Sequence, residues 1–351
     1  MGAKTRSVDP GWGFGRESAV MNLKFWGVRG SIPSPSTGKD IDEKLRAFID
    51  VAQKSSDRLS RPDEFLKNLP RHLLHPVGGN TSCLEVKHNQ SRIILDMGSG
   101  LRPLGVELSP KIDFGDSDLF PSLNNPPPFE PDKGLDLVIL LSHTHWDHIQ
   151  GFPFFTPAHN AANRITIYGQ DGDKIRRALN IQQTAPSLFP ISLNGFEAEI
   201  VCRSFPEREM TLGDIEIRSM PLPHPGGSLA FKLKTEDRII IYATDYEFPS
   251  PEGYEADQFV KFIEGADVFI SDTQYTYLEG VAREGWGHST SFGAVDLAMR
   301  AGVKSLYLFH HDPDHSDAKL YDSLDKTRAY YMMLSGNGQM TIDLGVEGLI
   351  I

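Results

Sequence analysis

One short segment constrains this chain more than any other: Ser142–His148, which reads SHTHWDH and follows the apolar run 135–141. An apolar run of this length, bounded by Gly134 and Ser142, predicts a buried strand, so the polar segment is expected at the carboxyl end of that strand. Sheets of α/β proteins carry their binding sites at that end. Three imidazoles and a carboxylate in so short a segment indicate a metal site, the alternative being a polar loop with incidental histidines.

The residue types narrow the choice of metal. Neutral imidazole together with carboxylate suits zinc, manganese or iron. A zinc finger would require thiolates, and the sequence contains only 2 cysteines. The spacing HxHxDH offers one pair of ligands, His143 and His145, for one ion and a second pair, Asp147 and His148, for its neighbour.

The HxHxDH segment resembles the signature of the metallo-β-lactamase superfamily of hydrolases, in which a histidine, an aspartate and a final histidine follow downstream. Matching residues are His224 in MPLPHPGG, Asp245 in IIIYATD and His310 in LYLFHHD, and each lies beside or just past a predicted strand. The resemblance covers residues 22–317 and implies an α/β fold, the four-layer αβ/βα sandwich.

The same resemblance implies a cofactor of two divalent metal ions, Zn²⁺ or Mn²⁺, with Fe²⁺ also compatible. It assigns the ligands as follows: His143, His145 and His224 to one ion, Asp147, His148 and His310 to the other, and Asp245 to both. His310 and His311 are neighbours, and adjacent residues at a strand end point to opposite sides. The alignment with the family favours His310, and the sequence leaves open which of the two is the ligand.

His288 lies in the segment GHST, directly before a predicted helix at 289–300. This segment resembles the ribonuclease Z and cyclic phosphodiesterase branch, which implies that His288 is a catalytic general acid for the leaving oxygen of a phosphodiester. An imidazole with a pKa near the working pH suits that role. Asp147 is assigned a catalytic role in addition to its place among the ligands. The alternative for His288 is a neighbour of the helix cap formed by Ser289 or Thr290.

Further residues are predicted to contact the substrate or to support the ligands. Arg29 and Asn80 lie in the glycine-rich segments 26–33 and 77–82, where glycine permits close approach to an anion and arginine can contact a phosphate; simple tight turns are the alternative. His311 is added as a third substrate contact. Asp96, at a strand end in LDMGSG, is expected to fix the tautomer of a ligating histidine, unless it only forms the turn ahead of Gly98.

The candidate ligands extend from His143 to His310, which predicts a single domain at 21–351 after a leader at 1–20. Insertions are expected at about 38–75, where apolar residues recur at helical spacing, and at 108–133, which is rich in proline and acidic residues. The predicted strands are 23–26, 82–87, 91–95, 135–141, 165–168, 197–203, 215–220, a hairpin within 229–243, 266–271 and 304–309. The predicted helices are 173–183, 255–264, 289–300 and 316–334.

Charge and composition limit the partners. The formal net charge of −12 disfavours a stable complex with nucleic acid, whose binders usually present a basic stripe. No apolar stretch approaches the ~20 residues that cross a bilayer, and so few cysteines fit a reducing cytoplasm. The expected partner is a small phosphodiester substrate, without membrane contact, and a homodimer is left open.

The metal ligands together with His288 predict a dinuclear metal-dependent phosphodiesterase that hydrolyses small phosphodiesters by hydroxide attack. Cyclic nucleotides or other cyclic phosphates are the favoured substrates. A tRNA 3′-processing endonuclease of the ribonuclease Z type is the nearest rival, although no glycine-rich basic arm for tRNA is found in this sequence. The sequence also leaves open a thioester or lactone hydrolase and a metal-binding protein without turnover.

Overall fold

The fold is built on two β-sheets that pack face to face. The computed structural model describes residues 20–54, 61–109, 134–207, 209–248, 250 and 252–351. The strands of the first sheet lie side by side in chain order: Asn22–Gly27 (β1), Cys83–His88 (β2), Ser91–Leu95 (β3), Asp136–Leu140 (β4), Arg164–Gly169 (β5) and Glu199–Ser204 (β6). Strands β1, β2 and β3 are antiparallel neighbours, whereas β3 to β6 run parallel.

The second sheet is formed by the later part of the chain. Its strands are Met210–Leu212 (β7), Ile215–Leu222 (β8), Ser228–Lys234 (β9), Ile239–Ala243 (β10), Val268–Asp272 (β11), Ser305–Phe309 (β12) and Thr341–Leu344 (β13), again in chain order across the sheet. Strands β7 to β10 are antiparallel, whereas β10 to β13 are parallel. The parallel strands bring their carboxyl ends to one edge of the sheet.

Helices connect the strands and cover the sheets. They are Gly38–Lys54 (α1), Pro62–Lys67 (α2), Arg71–Leu74 (α3), Leu101–Leu108 (α4), Trp146–Ile149 (α5), Gly172–Gln182 (α6), Tyr254–Ile263 (α7), Tyr277–Ala282 (α8), Ser291–Arg300 (α9) and Asp317–Ser335 (α10). None of the helices in the described ranges is long and apolar enough to cross a membrane.

Strand β4 shows how the layers are stacked, because its side chains alternate between two hydrophobic cores. Leu137 and Ile139 belong to the core that contains the buried residues of α4 and α6, whereas Val138 and Leu140 belong to the core shared with the second sheet. Strand side chains point alternately to the two faces of a sheet, so a strand that is apolar throughout must be covered on both faces. The first sheet is therefore an inner layer.

The second sheet is covered in the same way. Its strands share their core with β1 to β4 on one side, and that core also includes buried residues of α7, α9 and α10, among them Phe259, Val295 and Leu324. The order of layers is helix, sheet, sheet, helix. The predicted four-layer αβ/βα fold is confirmed.

Most predicted elements are present, with ends that differ by at most two residues. Seven elements were not predicted: the short strands β7 and β13 and the helices α2, α3, α4, α5 and α8. Helix α8 has no buried residue, so its sequence, YLEGVA, carries no amphipathic signal. Strand β13 adds to the edge of a sheet already formed by others.

The predicted insertions are described only in part. Residues 38–75 contain α1, α2 and α3, and α1 has no buried residue although Phe48 packs edge to face on Phe65. The insertion predicted at 108–133 lies outside the described residues from 110 onward, as does the leader up to residue 19.

Candidate metal centre

The segment after β4 brings its polar side chains together because a short helix follows directly. Helix α5 begins at Trp146, with His145 at the position before its first turn. The helical turn places Asp147 and His148 side by side, and both are buried, as is His143. The segment thus presents two pairs of polar side chains from one loop.

The second sheet supplies two further side chains at the carboxyl ends of its parallel strands. Asp245 follows β10 and His310 follows β12 directly, and both have left-handed backbone conformations, with φ of 55° and 61°. Asp96 follows β3 in the same way, with φ of 60°. Side chains other than glycine rarely adopt this region, although Asp and His tolerate it better than most. At each strand end the turn directs a functional side chain toward the space between the sheets.

The first group of converging residues contains His143, His145, His224 and Asp245. His224 lies in the connection between β8 and β9, and its Nε2 is 3.1 Å from His145 Nδ1. Asp245 Oδ2 is 3.5 Å from His143 Nε2 and 3.7 Å from His224 Nε2. Four ligand atoms therefore face one small space.

The second group contains Asp147, His148 and His310. His310 Nε2 is 3.2 Å from His148 Nε2 and 3.1 Å from Asp147 Oδ2. The other oxygen of Asp245, Oδ1, is 3.2 Å from the Nε2 atoms of both histidines. The two oxygens of Asp245 therefore face the two groups, one oxygen each.

The hydrogen bonds of these histidines favour tautomers that suit divalent cations. His224 Nδ1 donates to the carbonyl of Gly287 at 2.9 Å, and His148 Nδ1 contacts the Asp96 carboxylate at 2.8 Å. With the proton on Nδ1, the Nε2 lone pair of each ring points into the cluster. His143 Nε2 is buried without a hydrogen-bond partner in the described structure. Lone pairs and carboxylates that converge in this way repel one another unless a cation lies between them.

The pKa values of the histidines follow from burial and from the nearby carboxylates. Burial lowers the pKa of His143 well below its usual value, and it lowers those of His145 and His224 as well. The neutral imidazole is the form that binds a metal. Although burial opposes its charge, the carboxylates around His148, led by Asp147, raise the pKa of His148 well above its usual value. A cation at Nε2 would take the place of that proton.

Because the two groups draw on both sheets, a bound metal should hold the folded state together. At Zn²⁺ or Mn²⁺ concentrations about a hundredfold above Kd, we expect the free energy of unfolding to rise by about 2.7 kcal/mol. Thermal unfolding followed by circular dichroism, with the metal and with EDTA, measures the change. An unfolding temperature that is the same in both conditions would contradict the assignment.

His288 lies at the edge of the cluster and is held by a carboxylate. Asp272, the last residue of β11, contacts His288 Nδ1 at 2.9 Å and also accepts the backbone N–H groups of Asp245 and Ser289. The His288 ring stacks on His310 with centroids 5.1 Å apart. Although burial opposes the charge, Asp272 raises the pKa of His288 to about 9.

Comparison with known proteins decides the family. The family model described as Beta-lactamase superfamily domain matches residues 110–311, more than half of the chain. The chain belongs to the β-lactamase superfamily. With its two-sheet fold and its clusters of histidine and aspartate, it is a metallo-β-lactamase-fold hydrolase that depends on metal.

Relatives of this superfamily member include nucleases. The ribonuclease Z of Agathobacter rectalis is 25% identical over an alignment of 278 residues, and the match covers 66% of this chain and 82% of that protein. Among solved structures, human tRNase Z, short form, has a TM-score of 0.54 at 16% identity and covers 94% of this chain and 98% of its own. Unliganded yeast PDE1 has a TM-score of 0.54 at 14% identity, with 95% and 99% covered. At such identities the structural likeness shows the fold alone.

Asp96 occupies the position that the sequence predicted, behind a candidate ligand of the hydrolase. Besides contacting His148 Nδ1, its carboxylate accepts the backbone N–H and the hydroxyl of Ser142 and, at 2.6 Å, the hydroxyl of Tyr242. Tyr242 was not predicted because a tyrosine within an apolar strand gives no signal of a polar role. Together these contacts fix both the carboxylate and the His148 ring.

Replacing Asp96 by Asn should weaken metal binding by roughly 10- to 100-fold, because the neutral amide is a poorer acceptor for the His148 N–H. Competition with a chromophoric chelator measures the affinity. The matched control is Asp136→Asn, since Asp136 is exposed at the opposite end of the neighbouring strand β4. Equal affinities in the two variants would show that Asp96 only forms the turn.

Arg29, which was predicted to contact a substrate phosphate, is held by protein acceptors in the structure. Its side chain is buried, Nε donates to the carbonyl of Gly78, and Nη1 donates to those of Asp312 and His315. Nη2 is 3.6 Å from the carboxylate of Asp317. The guanidinium joins distant segments of the chain, so its donors are occupied by protein acceptors.

Asn80 and His311, the other predicted substrate contacts, also have protein partners. The Asn80 amide donates to Glu347 at 3.1 Å, and its oxygen accepts from the hydroxyl of Ser99. His311 is buried with Nε2 3.0 Å from the carbonyl of Gly345, on the side away from the cluster. The structure therefore directs His310, and not His311, at the candidate metal centre.

The glycine segment 26–33 has a different use from the one predicted. A Cβ atom on Gly30 would lie 2.5 Å from the ring of His310. Any side chain there would displace the imidazole, so the glycine permits a close approach of backbone to a candidate ligand. Beside it, the backbone N–H of Ser31 donates to Asp147 Oδ2 at 2.7 Å.

Proposed function

We propose that this hydrolase is a dinuclear metal-dependent phosphodiesterase of small phosphodiesters, with cyclic nucleotides or other cyclic phosphates as the favoured substrates. The observation that supports the proposal most strongly is His288, whose Nδ1 is held by Asp272 while its ring stacks on His310. A histidine fixed beside a metal centre suits a reaction in which an alkoxide must leave. Hydrolysis of a thioester or an activated lactone has less need of an added proton donor.

Two ions are proposed because Asp245 presents one oxygen to each group of ligands. The first ion would be held by His143, His145 and His224, and the second by Asp147, His148 and His310, with Zn²⁺, Mn²⁺ or Fe²⁺ compatible with these donors. When bound, two such ions make water a strong nucleophile near neutral pH and neutralise charge on the phosphoryl group.

The protein supplies the proton for the leaving oxygen. Because Nδ1 of His288 faces Asp272, Nε2 is the nitrogen that can donate to a substrate. Asp272 keeps the ring oriented and stabilises its positive charge before the transfer. General acid catalysis of this kind needs a donor within hydrogen-bond reach of the leaving atom, and a fixed ring meets that need at low entropic cost.

One loop positions both this proton donor and a candidate ligand. Glu247 accepts the backbone N–H groups of Gly285 and Gly287 at 2.9 and 2.7 Å. The carbonyl of Gly287 in turn accepts Nδ1 of His224. Since His288 follows directly, the carboxylate of Glu247 sets the geometry of a metal ligand and of the general acid together.

Turnover of defined diesters tests the proposal. The protein is loaded with Mn²⁺ or Zn²⁺, its metal content is measured on the same sample, and it is assayed with bis(p-nitrophenyl) phosphate, cyclic mononucleotides, cyclic dinucleotides and linear diesters. We expect hydrolysis of bis(p-nitrophenyl) phosphate and of at least one cyclic nucleotide. Full metal content without turnover of any diester would refute the proposal and favour an acyl hydrolase or a protein that only binds metal.

A second candidate function, 3′ processing of precursor tRNA, is favoured by the similarity to ribonuclease Z. The net charge of −12 opposes it, because binding a polynucleotide backbone requires several phosphate contacts from basic residues. Cleavage of a precursor tRNA at nanomolar enzyme, faster than that of any cyclic nucleotide, would reverse the order of the two functions.

A further inference from the structure

A cleft of about 570 Å³ adjoins the candidate metal centre on the side of His288. Helices α8 and α9 form much of its wall, which carries several aromatic rings: Tyr246, Phe248, Tyr277, Phe292 and Tyr330. No Lys or Arg is among the lining residues in the described part of the chain. The cleft therefore suits an uncharged, apolar and flat group rather than a second phosphate.

Three of the rings are arranged for stacking. Phe292 lies on Tyr330 with centroids 4.3 Å apart and planes 13° apart, and Tyr277 faces Phe292 at 6.3 Å and 25°. A flat group between two rings needs about 7 Å, twice the van der Waals separation of carbon atoms. Tyr277 is 58% exposed on α8, a helix without buried residues, so little packing opposes the small shift of this ring that would open the gap.

Three carboxyl groups line the aromatic cleft: Glu247 already accepts the backbone N–H groups of Gly285 and Gly287, and Glu284 is exposed to solvent, which leaves Asp296 as the partly buried polar contact. Asp296 on α9 lines the cleft, and its Oδ1 accepts the hydroxyl of Tyr330 at 2.9 Å. No basic side chain pairs with Asp296 in the described residues, and burial raises the pKa of this carboxyl group. A partly buried acceptor without a cation favours a ligand that brings its own N–H donors.

The chemistry of the bases distinguishes the possible ligands. The Watson–Crick edge of guanine presents two adjacent N–H donors, which a carboxylate can accept together. Adenine presents one donor beside an acceptor, and the acceptor would face a carboxylate oxygen unfavourably. Stacking between aromatic rings is sequence-tolerant, so the rings would hold either base and the carboxylate would choose between them.

We propose that the aromatic cleft binds the base of a nucleotide substrate and that Asp296 makes guanine the preferred base. The inference rests on the proposed phosphodiesterase function, because it places the phosphate at the metal centre and the base in the cleft. His288 lines the cleft and also stacks on His310, so it lies between the two parts of such a nucleotide. That is where the leaving oxygen would need a proton.

Calorimetric titration of the metal-loaded protein with GMP, AMP and guanosine tests the inference. We expect GMP to bind more tightly than AMP. The Asp296→Asn substitution should lower the affinity for GMP by roughly 10-fold and leave the affinity for AMP unchanged or slightly higher. Tyr277→Ala should lower the affinity for both nucleotides by roughly 10-fold, since it removes one stacking surface. The control is Tyr254→Ala, because Tyr254 is 79% exposed on α7 and does not line the cleft.

The outcomes separate this inference from the function on which it rests. If bis(p-nitrophenyl) phosphate is hydrolysed but GMP and AMP bind equally in wild type and in Asp296→Asn, the cleft does not select guanine while the phosphodiesterase stands. If no diester is hydrolysed, the proposed function fails, and guanosine still tests the cleft because it carries no phosphate. Guanosine binding that is insensitive to both Asp296→Asn and Tyr277→Ala, or absent, would overturn the inference.

Discussion

Asp245→Asn should lower turnover of bis(p-nitrophenyl) phosphate by at least about 10³-fold, since it removes several kcal/mol of charge stabilisation from the transition state. The carboxylate is 3.2 Å from His148 and His310 and 3.5 Å from His143, so both groups of ligands lose a partner. An amide has nearly the same shape but only one oxygen to offer. Steady-state kinetics with measured metal content gives the loss.

The matched control is Asp267→Asn. Asp267 precedes β11, at the end of the same sheet opposite to Asp272, where its carboxylate accepts the backbone N–H of Ile239 and pairs with Lys304. This variant should keep both its metal and its turnover. If Asp245→Asn retained two equivalents of metal and more than a tenth of the activity, Asp245 would not be the shared ligand.

His288→Ala should lower the rate by roughly 10²- to 10⁴-fold for diesters with poor leaving groups. The effect should be much smaller with bis(p-nitrophenyl) phosphate, because p-nitrophenolate leaves without help from a proton. The comparison is made between this diester and an alkyl nitrophenyl or cyclic phosphate, at equal metal content. The dependence on the leaving group distinguishes proton donation from a purely structural role.

Two further variants complete this test. Asp272→Asn should give the same pattern with a smaller loss, because the imidazole remains but its orientation and charge are no longer supported by a carboxylate. His159→Ala is the control, since His159 is exposed and packs beside Phe196, away from the cluster. An equal loss with every leaving group in His288→Ala would exclude His288 as the general acid.

The positions of the candidate ligands could be predicted because local sequence determines them. His143 and His310 each follow an apolar run, and the end of a buried strand places the next residues at the edge of the sheet. Asp272 follows the same pattern in FISD and could have been found, but no motif drew attention to it. The strand-end rule alone would have added it to the candidates.

Two of the predicted substrate contacts, Arg29 and Asn80, have protein partners that are distant in the sequence. Arg29 is held by the carbonyls of Asp312 and His315, and Asn80 is held by Glu347. Such pairs arise only when the two ends of the chain pack together, which no local pattern reveals. The aromatic cleft is of the same kind, because Tyr277 and Phe292 come from different helices and one of these helices was not predicted.

The left-handed backbone at Asp96, Asp245 and His310 has a consequence for engineering. Each such residue lowers the free energy of unfolding by on the order of 1–3 kcal/mol relative to a relaxed backbone, whereas glycine adopts this conformation without steric strain. The chemistry of the side chains, and not the stability of the fold, accounts for their presence. Selection for thermal stability alone would therefore tend to place glycine at these turns and inactivate the enzyme. Stability and catalytic activity are in direct conflict at these three positions.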